Sequence, residues 1–354
     1  MKLAICYVGQ GAQKTGMGKD FYENNEAFRS TFDRAAAALP FDLKQACFEN
    51  PGDTLMQTAV TQPALVAFGS AVSAVLEEKG ILEKTDYVFG LSLGEYTALE
   101  AAGVWDAEEA VKIAAFRGKV MAEAAEGIDC AMSAVIGLEK KQVEDICTDI
   151  MRNIGTSGRK GAAADSVSGK DFRNGLGPDA GEFAEQVDNR QLKNGVWLTN
   201  DNCPGQVVIS GDSASVAAAG EKAKSLGARV MSLHVSGPFH TPWMAPAGEA
   251  LRSLFDGRAF GEEKIPVVHN FTARPQAAGE SLSDLLVQQV QHGVRMRETI
   301  VWLLEQGVDT FLEVGPGHTL TGFVKKCAKA AGKSVQTLTV ETPEDLLKLQ
   351  ALPL

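Results

Sequence analysis

The sequence lacks paired cysteines, an excess of positive charge and a long hydrophobic run. Its six cysteines are scattered, and no two have the C-x-x-C spacing of a zinc or thiol redox site. We therefore expect free thiols in a reducing compartment and no metal site. The net charge of -11 opposes general affinity for nucleic-acid phosphates or anionic lipid, because such affinity depends on lysine and arginine.

No hydrophobic stretch is long enough to predict a membrane span. The longest apolar run, 64–76, is shorter than the roughly 20 residues that cross a bilayer, and glycine and serine interrupt it. It predicts a buried helix instead. Residues 1–8 carry too few apolar side chains for the core of a signal peptide. These absences predict a cytoplasmic protein that binds neither nucleic acid nor membrane. We also expect a monomer.

What is present is the composition of a large globular chain. At about 100 to 200 residues per domain, 354 residues suggest two compact units or one large core with an insertion. A hydrophobic share of 45% and a charged share of 22% exclude a disordered or collagen-like chain. Short apolar runs alternate with segments of helical period, which indicates an α/β fold with a largely parallel sheet.

The order of the predicted elements indicates two subdomains. In the first third, the sequence predicts strands at 3–8 and 87–91 and helices at 20–38, 63–79, 92–102 and 107–125. Further on, it predicts strands at 132–136, 196–200, 207–210 and 229–233 and helices at 139–151 and 213–226, the β-α-β-β-α-β order of a ferredoxin-like unit. Strands near 266–269, 310–314 and 334–338 resume the first pattern. We therefore predict an α/β-hydrolase-like large catalytic subdomain at 1–126 and 236–354, and an inserted ferredoxin-like small subdomain at 127–235.

The stretch 154–195 departs from both patterns. It is rich in glycine, aspartate, lysine and arginine, and it exceeds the usual loop length. Its composition offers little apolar area to offset the entropy lost on ordering. We predict a mobile or partly ordered excursion of the small subdomain that is dispensable for chemistry.

The sharpest local motif is G-x-S-x-G, present as Gly90-Leu91-Ser92-Leu93-Gly94. Such an elbow lifts a serine hydroxyl above the edge of a sheet and directs the N-terminus of the following helix at it. The alternative is an ordinary turn with a capping serine. A strand before the motif and a helix after it are predicted independently, and this context favours Ser92 as a nucleophile.

A nucleophilic serine needs a base, and the sequence offers five histidines. His240 lies in an irregular loop that contains glycine and proline, where catalytic groups are common. His234 and His269 lie on apolar strands and are predicted in the core. His292 and His318 are predicted at the surface or at helix starts. The pattern therefore favours His240 as the base.

Two further features fit a catalytic site around a serine nucleophile. Gly9, Gln10 and Gly11 follow the first predicted strand and offer unobstructed backbone N–H groups, as an oxyanion site needs; the alternative is a plain glycine turn. Arg117 lies among apolar residues of a predicted helix, where a guanidinium needs an anionic partner. That partner is either a substrate or a structural carboxylate.

Together these motifs resemble a known family over nearly the whole chain. The matching segments are 9–13 with 16–18 behind it, 90–95, 117–118 with Met121, 200–206 (ending Asn-Cys-Pro-Gly-Gln), 237–240 and 313–317 (Glu-Val-Gly-Pro-Gly). Their order and spacing are similar to those of the malonyl-CoA:acyl carrier protein transacylases of fatty-acid synthesis and of the related acyltransferase domains of polyketide synthases.

The resemblance implies roles for particular positions within these segments. Ser92 is implied as the acyl-accepting nucleophile and His240 as its base. The backbone N–H groups of Gln10 and Leu93 are implied as the oxyanion hole. Arg117 is implied as the group that binds the free carboxylate of malonate.

Other positions are implied around these. A main-chain carbonyl near Arg295, rather than an acid, would orient His240, and the bulk of Phe239 would exclude the extra methyl of methylmalonate. Leu91 replaces the histidine that is common before the nucleophile, so any polar contact from that position is lost. The residues implied to line or support the cleft are Asn200, Asn202, Gln206 and Asn270.

The implied reaction is a ping-pong transfer. Ser92, deprotonated by His240, attacks malonyl-CoA and releases coenzyme A, and the phosphopantetheine thiol of acyl carrier protein then takes the malonyl group. The coenzyme A thioester is a substrate, and no permanently bound cofactor or metal is expected. Three alternatives stay open: a serine esterase or thioesterase on the same elbow, an acyltransferase of a polyketide pathway, and a catalytically idle acyl-binding subunit.

Overall fold

The computed structural model describes residues 1–158, 194–233 and 237–349. Its strands are β1 (Leu3–Tyr7), β2 (Tyr87–Gly90), β3 (Cys130–Ile136), β4 (Val196–Cys203), β5 (Gln206–Asp212), β6 (Arg229–Leu233), β7 (Val267–Val268), β8 (Thr310–Val314) and β9 (Gln336–Val340). Its α-helices are α1 (Lys19–Asn24), α2 (Glu26–Ala37), α3 (Leu43–Phe48), α4 (Thr58–Glu78), α5 (Gly94–Ala101), α6 (Ala107–Ala124), α7 (Lys140–Gly158), α8 (Ser213–Ser225), α9 (Ala245–Phe255), α10 (Leu282–Gln291), α11 (Met296–Glu305), α12 (Thr319–Ala330) and α13 (Asp345–Leu349). Short 3₁₀ helices lie at Pro51–Met56, Leu82–Lys84 and Pro242–Met244.

The larger sheet is parallel, in the order β7-β2-β1-β8-β9. β1 lies at its centre and is buried throughout, which explains its uninterrupted apolar sequence. Tyr7 of β1 lies opposite Gly90 of β2 and Val314 of β8. The carboxyl ends of three adjacent strands therefore coincide, and the loops that follow them meet at the edge where parallel α/β sheets place their sites.

Two helices that precede β2 differ from the sequence prediction. The helix predicted over 20–38 is interrupted at Asn25, whose side chain accepts a hydrogen bond from the Phe28 backbone N–H and caps α2. The helix predicted from Pro63 already starts at Thr58, so Pro63 lies inside α4. A proline there removes one backbone hydrogen bond, and the burial of nearly all of α4 outweighs that loss.

The apolar run at 64–76 lies within α4. Of the helices in the described ranges, α4 is the one long and apolar enough to cross a membrane, but 83% of the apolar window is buried within the protein. It packs against α2 and α6. The prediction of a buried helix is confirmed.

The smaller sheet is antiparallel, in the order β4-β5-β3-β6. With α7 between β3 and β4, and α8 between β5 and β6, its connectivity is that of a ferredoxin-like unit. It has a core of its own, which includes Val135, Ile146 and Ile209. The two sheets confirm the predicted α/β fold class, while the boundaries at 126/127 and 235/236 stay a prediction.

Strand β4 also joins the two units. Asn200 forms a parallel bridge with Val294, which precedes α11. The Asp201 N–H donates to the Val294 carbonyl at 3.0 Å, and the Val294 N–H donates to the Thr199 carbonyl at 2.9 Å. These backbone bonds fix the small sheet beside the larger unit.

The predicted excursion at 154–195 lies mostly outside the described residues. Helix α7 continues to Gly158, beyond its predicted end at 151, and the description resumes at 194, just before β4. The mobility and dispensability of the excursion stay predictions.

Candidate active site

Ser92 lies on a sharp turn between β2 and α5. Its φ of 53° is in the left-handed region, a strained conformation for a residue with a side chain. A Cβ at Gly90 would lie 2.0 Å from the carbonyl carbon of Gly94, and a Cβ at Gly94 would lie 2.1 Å from the Tyr7 carbonyl oxygen. Both glycines are therefore needed for the turn to close against β1. Because the strained turn occupies the residues before it, α5 starts at Gly94 rather than at Ser92 as predicted.

His240 is the histidine that the fold brings to Ser92. Its Nε2 lies 2.8 Å from the Ser92 Oγ, and its Nδ1 lies 2.9 Å from the main-chain carbonyl oxygen of Gln289. The prediction of a carbonyl near Arg295 is wrong. Gln289 lies in the last turn of α10, where carbonyls have no helical partner, whereas the Arg295 carbonyl accepts the Thr299 N–H at 2.9 Å.

The surroundings of His240 keep its imidazole neutral. Its side chain is buried, and this burial, together with the positive charge of Arg117, lowers the pKa of His240 to about 4. Because the Gln289 carbonyl can only accept, the proton is assigned to Nδ1. Nε2 is then free to accept the Ser92 hydroxyl proton, which is the task of a general base.

We expect the acylation rate to be constant from pH 7 to about pH 5, and to fall as pH decreases through about 4, where His240 becomes protonated. An imidazole of ordinary pKa would lose half of its activity at a pH of about 6.5 instead. Rapid-quench measurement of the acyl-enzyme across this range checks the expectation, and circular dichroism at each pH controls for unfolding. A midpoint near 6.5 would contradict the depressed pKa.

Arg117 extends from α6 to the same point. Its side chain is 1% exposed. Nη2 donates to the Ser92 Oγ and to the Gln289 Oε1, each at 3.1 Å, and Nη1 donates to the Gln62 Oε1 at 2.9 Å. The guanidinium also lies over the Tyr96 ring, 5.1 Å from its centroid. Neutral groups and a ring face thus hold the cation beside the nucleophile.

In the described part of the chain, Arg117 has no carboxylate partner. Neutral amide oxygens and a hydroxyl accept its hydrogen bonds, and its Nε has no partner there. A buried cation without a directly bonded counter-ion is costly, and burial lowers the pKa of Arg117, while the negative charge of the nearby Glu95 acts to raise it. The site is therefore suited to an anionic group that arrives beside the Ser92 hydroxyl.

The two backbone N–H groups predicted to bind an oxyanion flank the Ser92 turn. Leu93 immediately precedes α5, and Gln10 follows β1, the strand adjacent to β2. Within the described ranges, neither N–H donates to another group of the protein. The Gln10 side chain is tied to the Thr58 hydroxyl at 3.1 Å, which fixes this loop beside α4. Their role in an oxyanion hole stays a prediction.

The four polar residues predicted in the cleft divide into two kinds. Asn270 supports the nucleophile, because its Oδ1 accepts the Ser92 N–H at 2.6 Å and its Nδ2 donates to the Gly90 carbonyl at 2.7 Å. The other three lie on β4 and β5: Asn200, Asn202 and Gln206. None of these three hydrogen-bonds to the Ser92 and His240 side chains in the described structure. The Gln206 Oε1 instead accepts from Lys326 Nζ at 3.1 Å.

The apolar positions predicted at the site flank the catalytic pair. Phe239 is buried beside His240 in sequence. Leu91 is half-buried, and its carbonyl accepts the Gly94 N–H at 3.0 Å within the turn. A Cβ on Gly9 would lie 2.4 Å from that carbonyl, so this glycine lets the Gln10 loop approach the nucleophile.

In the described residues, no other histidine bonds to the Ser92 hydroxyl. His269 is buried, as predicted, and its Nδ1 donates to Glu95. His292 bonds through Nδ1 to a carbonyl of its own helix, and His318 precedes α12. His234 lies outside the described residues.

Sequence reasoning missed three residues of the site: Gln62, Glu95 and Gln289. All are buried polar side chains on helices with apolar neighbours. Arg117 was singled out because it is a polar residue among apolar helical neighbours. The same criterion would have identified these three residues. Among the described residues, no group of three or more His, Cys, Asp or Glu side chains is placed to hold a metal ion.

A serine on a strand-turn-helix elbow, paired with a neutral histidine, defines the class of serine enzymes that form acyl-enzymes. A family model described as "Acyl transferase domain" matches residues 5–160 and 175–346, and the chain belongs to this family.

Individual relatives narrow the comparison. The chain is 35% identical to the malonyl CoA-acyl carrier protein transacylase of Staphylococcus aureus (strain MRSA252), over 98% of this chain and 97% of the relative. The crystal structure of the malonyl CoA-acyl carrier protein transacylase from Clostridium perfringens matches with a TM-score of 0.81 and 34% identity, over 99% of this chain and 96% of that one. A complex of a type II polyketide acyl-carrier protein with its malonyl-transacylase matches with a TM-score of 0.82 and 31% identity, over 98% of both chains.

Proposed function

We infer that the protein transfers the malonyl group of malonyl-CoA to the phosphopantetheine thiol of acyl carrier protein and thereby supplies fatty-acid synthesis. The relatives named above support the reaction. The observation that carries the substrate is the guanidinium of Arg117, buried without a carboxylate partner in the described residues and 3.1 Å from the Ser92 hydroxyl. Malonate differs from acetate by the carboxylate that such a cation binds.

Acylation begins at the Ser92 hydroxyl. Its oxygen attacks the thioester carbonyl carbon while its proton passes to His240 Nε2, 2.8 Å away. The backbone N–H groups of Gln10 and Leu93 stabilise the negative oxygen that develops. When the carbon–sulfur bond breaks, the imidazolium returns its proton to the leaving sulfur. Coenzyme A departs, and malonate remains as an ester of Ser92.

Transfer to the carrier protein reverses these steps. The phosphopantetheine thiol gives its proton to His240 Nε2, and its sulfur attacks the ester carbonyl carbon. The ester bond breaks, and Ser92 regains the proton from the imidazolium. Throughout, Arg117 holds the malonyl carboxylate, so the carbonyl carbon stays at the nucleophile.

A hydrolase is the second candidate, because water can replace the carrier thiol. Hydrolases with this elbow usually pair the histidine with an acid, and here a Gln289 carbonyl takes that place. Incubation with malonyl-CoA and holo carrier protein, followed by separation of malonyl carrier from free malonate, tests the proposal. Malonyl carrier is the expected product. Free malonate as the main product identifies a hydrolase, and no acyl-enzyme at all identifies an idle subunit.

The pathway that the carrier protein serves can be tested in the same assay. The polyketide carrier complex among the similar structures makes a polyketide carrier a second acceptor to compare. We expect faster transfer to the carrier protein of fatty-acid synthesis. A preference for the polyketide carrier would reassign the pathway.

We also propose that the enzyme is a cytoplasmic monomer without a bound cofactor. All six cysteines are free, as is usual in a reducing compartment. Light scattering after gel filtration tests the oligomeric state.

Charge reversal on α12 should weaken transfer to the carrier protein. Lys325, Lys326 and Lys329 are exposed on this helix. The family resemblance implies an acidic carrier protein, to which such lysines would be attracted. We expect Lys325→Glu with Lys329→Glu to raise the KM for carrier protein by about 3- to 10-fold and to leave acylation by malonyl-CoA unchanged. The matched control is Lys79→Glu, an exposed lysine just after α4.

The salt dependence separates docking from a general charge effect. Loss of a docking lysine should make the carrier half-reaction less sensitive to salt than it is in the wild-type enzyme. An equal loss with Lys79→Glu, or an equal effect on both half-reactions, would place the docking surface elsewhere.

A further inference from the structure

A buried cluster of charged and amide side chains lies directly behind the Ser92 turn. Glu95, in the first turn of α5, is fully buried, and its Oε1 accepts a 2.8 Å hydrogen bond from the Nδ1 of His269, which is also fully buried. In the described structure, neither side chain hydrogen-bonds to the Ser92 hydroxyl or to the His240 ring. The acyl-transfer steps therefore leave this pair unexplained.

The second carboxylate oxygen of Glu95 binds Asn270 and Gln289, the two residues that support Ser92 and His240. Its Oε2 accepts the Asn270 backbone N–H at 2.9 Å and the Gln289 Nε2 at 2.8 Å. The Asn270 side chain in turn accepts a hydrogen bond from the Ser92 N–H. Gln289 donates from the same Nε2 to the Ser92 carbonyl at 2.9 Å, and its own carbonyl holds the His240 Nδ1. One carboxylate thus links the support of the nucleophile to the support of the base.

The three partners of Glu95 are all donors. An ionised carboxylate accepts from all of them at once, whereas an amide in its place would turn an NH₂ group toward at least one of them. A carboxylate buried without water needs a cation nearby. His269 supplies it: burial alone would lower the pKa of His269, but Glu263 and Glu95 outweigh that effect and raise it to about 9. Glu263 lies on the other side of the ring, 3.6 Å from Nε2.

We propose that Glu95 and His269 are a positioning pair that sets the alignment of Ser92 with His240. The kinetic part of the test rests on the proposed malonyl transfer, and the spectroscopic part does not. A pair that served only to stabilise the fold would change the unfolding temperature and leave the geometry of the catalytic pair intact.

Glu95→Gln tests the proposal, and Glu313→Gln is its matched control. Glu313 is another fully buried glutamate and lies on β8. Its carboxylate accepts the Leu320 and Thr321 N–H groups, at 3.0 and 2.7 Å, and so caps the first turn of α12. We expect Glu95→Gln to lower the maximal acylation rate by about 10- to 100-fold, because small misplacements of reacting groups have effects of that size. The KM for malonyl-CoA should change less than the rate, since Arg117 keeps its bond to Gln62 when its bond to Gln289 is disturbed. Glu313→Gln should acylate at nearly the wild-type rate.

The proton on His240 Nδ1 gives a readout that needs no substrate. Its NMR resonance reports the hydrogen bond to the Gln289 carbonyl, and we expect it to shift in Glu95→Gln and to stay in place in Glu313→Gln. An unshifted resonance in Glu95→Gln would overturn the proposal. If malonyl-CoA failed to acylate even the wild-type enzyme, the proposed function would fall, and this resonance would still decide the positioning role.

His269→Gln tests the pairing and serves if Glu95→Gln does not fold. We expect it to slow acylation by about 10-fold, and the double variant to be no slower than Glu95→Gln alone, because residues of one network are not additive. Additive losses in the double variant would show that Glu95 and His269 do not act as a pair. A Glu95→Gln enzyme that acylates as fast as Glu313→Gln would show that Glu95 does not position the catalytic residues.

Discussion

Ser92→Ala is expected to abolish the malonyl-enzyme and with it all transfer to the carrier protein. The Ser92 Oγ is the atom to which His240 Nε2 and Arg117 Nη2 both bond, at 2.8 and 3.1 Å. Without it, no covalent intermediate can form. Removal of the nucleophile in a serine enzyme lowers kcat on the order of 10⁶-fold. Intact-mass measurement after incubation with malonyl-CoA should show one added malonyl group on the wild-type protein and none on the variant.

The matched control is Ser133→Ala, which removes a buried hydroxyl from β3 of the small sheet. It should acylate at the wild-type rate. Unfolding temperatures should show that Ser92→Ala is folded, and relief of the strained left-handed turn is not expected, because alanine also carries a Cβ. A Ser92→Ala protein that still gained a malonyl group would remove Ser92 from the mechanism.

The fold was predictable from the sequence where burial dictates the pattern. Strand β1 sits at the centre of a parallel sheet, so both of its faces are apolar and its run is easy to recognise. The break at Asn25 and the early start of α4 were not predictable. The apolar spacing continues across the cap at Asn25, and a proline is usually expected in the first turn of a helix, which placed the start of α4 too late. Tertiary burial decides the early start of α4, whereas a local side-chain cap decides the break at Asn25.

The site was predictable where a side chain carries the chemistry. Ser92, His240 and Arg117 are visible because a nucleophile, a base and a buried cation need particular residue types. The structure brings His240 and Arg117 within hydrogen-bond distance of the Ser92 hydroxyl. The carbonyl that orients His240 belongs to Gln289, and any residue offers a carbonyl. Such a role depends on where α10 ends in space, which no pattern along the chain records.

Gln289 contacts all three of the predicted site residues, Ser92, His240 and Arg117. Its carbonyl holds His240, while its side chain accepts from Arg117 at 3.1 Å and donates to the Ser92 carbonyl. The base, the cation and the nucleophile therefore share one support. Because Gln62 holds the other end of the guanidinium, the orientation of Arg117 is set before any substrate arrives.

Arg117→Ala is expected to reverse the preference between acyl groups. A planar guanidinium can bind the malonyl carboxylate through two parallel hydrogen bonds, whereas acetyl-CoA offers no group to pair with the buried cation. Hydrogen bonds to charged groups contribute about 1.5–3 kcal/mol each, so the loss corresponds to about 10- to 100-fold per bond. Malonyl transfer should therefore fall, and acetyl transfer should rise relative to it. Parallel acylation rates with malonyl-CoA and acetyl-CoA measure the ratio.

Arg117→Lys separates charge from geometry. Lysine keeps the positive charge near the Ser92 hydroxyl, but it has no planar fork to bond Gln62, Gln289 and a carboxylate together. We expect its malonyl-to-acetyl ratio to lie between those of the wild-type and Arg117→Ala enzymes. The ratio is the informative quantity, because both variants also lose a bond to the Ser92 Oγ and so slow every substrate alike. If Arg117→Ala kept the wild-type ratio, the carboxylate would bind elsewhere, and the preference for malonate would rest on the relatives alone.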